Sequence, residues 1–278
     1  MNRRQMLVGS GRLGMAGLAL AVSACGDESD SPVTSGDLSR QLDPSGAPGP
    51  FVAVTPPDTT IAGAAGALNL PAEVRVARDA RRMALDATRI DQWTAADWNT
   101  NFNVSLVSAD EIESRGDVRD VIPPIDRPMF ESIDAARAWL APGESVVVVA
   151  LGPGHRAYPS QILMWHEVVN DVAGGLPIAV TYSPDDDNVV VFDRRVYGAI
   201  LRLGVSGQLR NDNGLLWDNL TESWWQQRTG EAIVGDFAGV LLASIAMQQM
   251  SMDAFADAYP GGQVLSRPAG SDFRYSER

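Results

Sequence analysis

Lysine is missing from this chain: its 22 basic residues are all arginine. That absence excludes a Schiff-base or pyridoxal lysine, a P-loop lysine and a lysine general base. Positive charge is scarce as well. Against 35 acidic residues the net charge is −13, and a duplex-binding surface needs clustered cations for its phosphate contacts, so no nucleic-acid partner is expected. One cysteine, Cys25, leaves no intramolecular disulfide and no cysteine pair for a metal. Only His155 and His166 are available as imidazoles, with no HExxH and no motif tying either to a serine. GVSG (204–207) lacks the glycine two places after Ser206 that a nucleophile elbow requires.

What is present begins at the N-terminus. Arg3 and Arg4 precede an apolar, glycine-containing stretch, Met6 to Ala21, and small residues then lead to Cys25. A charged start, a short apolar core and small residues before a cut describe a secretory signal over 1–24. VSAC (22–25) resembles the lipobox of bacterial lipoproteins, which implies lipid on Cys25 and a membrane anchor. Several acyl chains on one residue hold a protein stably where a single chain would not. The expected location is the cell envelope, lipid-anchored and facing the periplasm or the exterior. RRQML also resembles a twin-arginine export motif, with Met6 where phenylalanine is common. Loss of 1–24 would leave 19 arginines against 35 acids.

Residues 25–70 form the lipidated cysteine and a tether rich in Pro, Gly and Ser, unable to bury enough apolar area to offset chain entropy. A single globular domain is predicted over 71–278. Helical spacing appears at Glu73 to Ile90, in DAARAWL (134–140) and at Ser244 to Ala258. ESVVVVAL (144–151) reads as a buried strand, and strand-like runs follow at HRAYP, PIAVTY, VVVFD, AILRLGV, GLLWDN and GEAIVG. Short turns such as PDDDN and NDNG separate them, which gives antiparallel hairpins. The expected class is mainly β (α+β), hairpin-rich, with a few flanking helices. The G-x-G-x-x-A at 152–157 mimics a dinucleotide fingerprint. It is read as a hairpin turn, because His155-Arg156-Ala157-Tyr158-Pro159 cannot open a long helix.

The sharpest question lies in TYSPDDDNVVVFDR (181–194), where Asp185, Asp186 and Asp187 join two strands. Read alone, Pro-Asp-Asp-Asp-Asn is a solvated turn. With RAYP (156–159), WHEVVND (165–171), FDR, GVSG, ESWWQQ (222–227) and TGEAIVG (229–235), however, the stretch resembles the DUF3179 family of bacterial envelope proteins without an assigned function. The resemblance implies a C-P-x-C pair after the Thr-Tyr, whose positions here are Ser183 and Asp186. A thiol pair beside His166 would suit redox chemistry or a soft metal. This chain has neither thiolate. What could remain is a divalent-metal site of harder ligands built from His166, Ser183 and Asp186.

Arg156, Tyr182, Asp193 and Glu231 are further family-shared candidates, and Arg156, Asp193, Arg194, Glu222 and Glu231 are expected in ion pairs. Asn170-Asp171 is read as a capped turn, and Trp217, Trp224 and Trp225 as core or cross-strand packing. Two functions are expected from this reading. One is an envelope lipoprotein with a non-catalytic domain that binds an unknown protein or small molecule. The alternative is a metal-binding or oxidoreductase-like protein centred on His166 and the 183–187 turn.

Overall fold

A computed structural model describes Ala72, residues 98–268 and Tyr275. The expected signal, tether and Glu73–Ile90 helix lie outside the described residues. The first strands are β1 (Glu113–Ser114), β2 (Phe130–Ser132), β3 (Ser145–Leu151), β4 (Gly154–Pro159), β5 (Val168–Ala173) and β6 (Leu176–Ser183). Next come β7 (Asn188–Asp193), β8 (Arg195–Val196), β9 (Ala199–Ile200), β10 (Leu203–Arg210) and β11 (Asn213–Asp218). The last are β12 (Trp224–Gln226), β13 (Ala232–Val234), β14 (Ser244–Ile245), β15 (Gln248–Ser251) and β16 (Gln263–Leu265). Among the described residues three short α-helices interrupt them: α1 (Ile133–Ala136), α2 (Ser160–His166) and α3 (Met252–Ala258). The fold is mainly β.

The strands form three main sheets, ordered β1-β10-β11-β12-β13, β14-β7-β6-β5 and β15-β3-β4-β16-β2, with β8 and β9 as a separate ribbon. All pairings between these strands are antiparallel except β16 on β4. Val146 to Val149 of β3 are all buried, feeding alternate sides of the sheet. Val147 and Val149 enter one cluster with Tyr158, Ile162 and Val180; Val146 and Val148 enter another with Phe255 and Val264. Each such valine contributes about 1.5–3 kcal/mol of burial. Trp224 and Trp225 are almost fully buried, and Trp217 faces Trp224 across β11 and β12. Trp224 and Trp225 are core, and Trp217 is half-buried cross-strand packing against Trp224.

Four elements differ from expectation. The helix at 134–140 is a single turn, Ile133–Ala136, capped by Ser132 Oγ on the Ala135 N–H. AILRLGV is two strands, β9 and the start of β10, parted at Leu201 and Arg202. Asn170-Asp171 is not a turn but the middle of β5, paired with β6. The helix expected from Ser244 exists only from Met252; Ser244–Ile245 and Gln248–Ser251 instead pair with the edges of β7 and β3. Ala, Met and Gln favour helix only by tenths of a kcal/mol, about what one cross-strand contact returns, so the open sheet edges decide.

One extended segment, 240–251, therefore stitches the three sheets together. Leu241 bridges Glu231 beside β13, Ala243 accepts from Asp193 at the end of β7, and Gln248 to Ser251 line β3.

Candidate functional site

The hairpin of β6 and β7 carries the acidic turn to the first residues of β11 and to Gln227, just past β12. Each of the three aspartates has a different internal partner. Asp185 takes a guanidinium nitrogen of Arg115, Asp186 takes Arg228, and Asp187 accepts from Tyr182 Oη at 2.9 Å. The stretch is a turn with Asp185 and Asp187 exposed, and its carboxylates are also anchored to the fold. Asp187 has a φ of +51°, the left-handed conformation that Asp tolerates in tight turns.

Asp186 is the most engaged. Asn213 Nδ2 donates to its two oxygens at 3.1 and 3.2 Å. Burial alone would raise this carboxyl. The hydrogen bonds from Ser183, Arg228 and Asn213 outweigh it and hold the pKa below the ordinary value of 3.8. Ser183, nearly fully buried, also accepts the Gly214 N–H at 3.0 Å. Beneath them Asn213 Nδ2 reaches Gln227 Oε1 at 2.9 Å, and Gln227 Nε2 donates to Thr181 Oγ1 at 3.1 Å. Ser183, Asn213, Gln227 and Thr181 are all buried, so this network forms the polar floor under the turn.

Arg115, immediately after β1, is the other anchor. Its Nη1 lies 2.9 Å from both oxygens of Glu167 while Nη2 holds Asp185. Burial works against this cation, but Glu167 and then Asp185 outweigh it and raise its pKa. Gly214 makes room: a Cβ there would stand 3.3 Å from Arg115 Nη2. Glu167 caps α2 with φ +59°, its N–H donating to Leu163 O and its carbonyl accepting from Tyr182 N. A non-glycine residue in that conformation costs about 1–2 kcal/mol, which the ion pair and two backbone bonds offset.

His166 faces elsewhere. Its Nδ1 donates to Pro123 O at 2.8 Å, which fixes the tautomer, and its Nε2 accepts from Tyr275 Oη at 2.9 Å. Burial lowers its pKa from 6.5, partly offset by the Pro123 bond, so the ring is neutral at pH 7. His166 thus bonds Pro123 and Tyr275, whereas Ser183 bonds the Gly214 N–H and Asp186 bonds Asn213 and Arg228. Among the described residues no group of three or more His, Cys, Asp or Glu side chains is arranged to hold a metal ion.

The remaining sequence candidates brace the sheets. Arg156 pairs with Asp171 at 2.5 Å, and the buried Tyr158 hydroxyl donates to the same carboxylate at 2.7 Å. Asp193 pairs with Arg195, and Glu222 with Arg119 at 3.1 Å. Arg194 departs from the expected ion pair: its guanidinium donates to the carbonyls of Ile178, Leu201 and Asp171. Glu231 lies at the bridge to Leu241, its N–H donating to Thr229 Oγ1. Ser206 is buried in β10, where its hydroxyl donates to Leu215 O beside a bulge. Away from the acidic turn, an open groove of about 480 Å³ lies between α1, β2 and the chain after α3, lined by Phe130, Glu131, Arg137, Ala256, Gly261 and Gln263.

The model of a family described as "Protein of unknown function (DUF3179)" matches residues 119–278. The chain belongs to the DUF3179 family. No curated protein and no solved structure matches it significantly. The DUF3179 match takes in Glu167, Ser183, Asp185, Asp186, Asn213, Gln227 and Arg228, but Arg115 lies before it.

Arg115, Asn213, Gln227, Arg228 and Tyr275 were not singled out by the sequence. NDNG and WWQQR carry Asn213, Gln227 and Arg228, but they read as turn and core flank. Arg115 stands in ESRGD with no pattern that points 70 residues ahead to Asp185.

Proposed function

We propose that this DUF3179 protein is an envelope lipoprotein, anchored by lipid on Cys25, whose β domain is a non-catalytic binding module for a protein or small-molecule partner. The signal-like N-terminus and the lone cysteine after small residues support the anchor. Among the described residues no helix is long and apolar enough to cross a membrane.

The observation that carries the binding-module reading is the engagement of Asp186 by Ser183, Asn213 and Arg228. With Arg115 on Glu167 and Asp185, both arginines sit where a cation would otherwise go. A general base must reach a substrate proton, and a metal ligand needs a free lone pair directed at a shared point. Either use would first require two charge-assisted pairs to open. The groove beside α1, with Glu131, Asp134, Arg137 and Gln263 around Phe130, offers a separate place of mixed polarity for a ligand.

Membrane fractionation tests the anchor. The wild-type chain is expected in the membrane fraction and the Cys25→Ser chain in the soluble one; a Cys25→Ser chain that stays on the membrane removes the lipoprotein reading. The metal-centre alternative is tested by metal content and His166→Ala.

A further inference from the structure

Every open sheet has two edges, and each exposed edge is a template for another strand. Here most of them are closed or short. Along β5, Ile125 donates to Val168 O and accepts from Asn170 N; along β13, Leu106 donates to Ile233 O and Gly235 to Val104 O. At β1 the edge is two residues long and carries Glu113; at β2 it is three residues long and carries Glu131.

The exception is the stitch that continues through β14 and β15. It forms the edge of two sheets in succession over 244–251. Ser244, Ala246, Gln248 and Gln249 are exposed, as is Leu241 just before them at 66%. Ile245 and Met247 turn inward against the main core cluster. Backbone direction follows from the ladder. Because Asp193 N–H donates to Ala243 O, residues 243 and 193 are a hydrogen-bonded antiparallel pair, and the next residue, Ser244, turns its N–H and C=O outward.

Natural edges are usually guarded by a charge, a proline or a bulge. From Phe237 to Met252 this chain has no charged residue and no proline. The rest of the molecule is strongly acidic, at −13 overall, so two copies repel across most of their surfaces. The uncharged strap is where they can meet without opposing like charges. Antiparallel pairing about a two-fold axis sets strap against strap, each copy giving and receiving the same backbone bonds.

We propose that residues 244–251 are a self-association edge, through which a second copy of this chain adds antiparallel to β14 and β15 and makes the sheets continuous across a dimer. Sedimentation equilibrium tests this on the full chain carrying Cys25→Ser, across a concentration series. The expected result is reversible association to the mass of two chains. Ser244→Pro removes one outward N–H, and Ala246→Lys places a charge on the exposed edge. Loss of the dimer in either variant, with circular dichroism and melting temperature unchanged, supports the proposal. A wild-type chain that stays monomeric, or a dimer that survives in both folded variants, overturns it.

Discussion

One guanidinium nitrogen of Arg115 stands 2.9 Å from both carboxylate oxygens of Glu167, while the other nitrogen of the fork holds Asp185. A residue from the loop after β1 thereby ties the end of α2 to the β6–β7 turn. Arg115 is only 10% exposed, and its partners are 15% and 27% exposed. Arg115→Met should therefore destabilise by about 2 kcal/mol, less than a fully buried pair would cost because water screens Asp185. Arg115→Lys should recover only part of this, since one ammonium cannot serve both carboxylates in the same geometry. Chemical denaturation of the three proteins checks the order.

Gly214→Ala should be destabilising only where Arg115 is present. The added methyl would press on Arg115 Nη2 at 3.3 Å, so a double-mutant cycle with Arg115→Ala should show coupling of about 0.5–1 kcal/mol. Independent, additive effects would mean that the guanidinium does not lie over Gly214.

Acid should act on two groups in separate ranges. His166 has a lowered folded pKa, so its contribution is present above 6.5 and is lost as pH falls from there through the folded value. His166→Asn should flatten that part of the stability profile. Asp186 is likewise lowered, from 3.8, so its share is retained until pH falls below that value. Asp186→Asn should remove the lower limb and leave the upper one. Melting temperature against pH for both variants separates the two.

Much of the fold was legible because its signals are local. Four valines between turn residues could only be a buried strand, and the short Gly, Asn and Asp turns gave hairpins. The failures came where a distant partner decides. Residues 244–251 have helix-favouring side chains, but β7 and β3 offer them unpaired backbone. Asn170 and Asp171 look like turn residues until the Leu203 backbone, Arg156 and Tyr158 satisfy them inside the sheet.

The candidate site shows the same division. Ser183 and Asp186 could be placed on one turn from the sequence, because the Pro-Asp-Asp-Asp-Asn run between two strands is a local signal. Their further partners were invisible: Arg228 lies 42 residues on from Asp186, and the bonds of His166 to Pro123 and Tyr275 span 43 and 109 residues. No spacing rule in the sequence encodes those contacts.

Metal analysis of the purified chain tests most directly whether arginines take the place of a metal at this turn. The chain is expected to carry no stoichiometric metal, and its melting temperature is expected to be unchanged by Ca²⁺, Mn²⁺, Cu²⁺ or Zn²⁺. One equivalent of bound metal that is lost on His166→Ala or Asp186→Ala would contradict it.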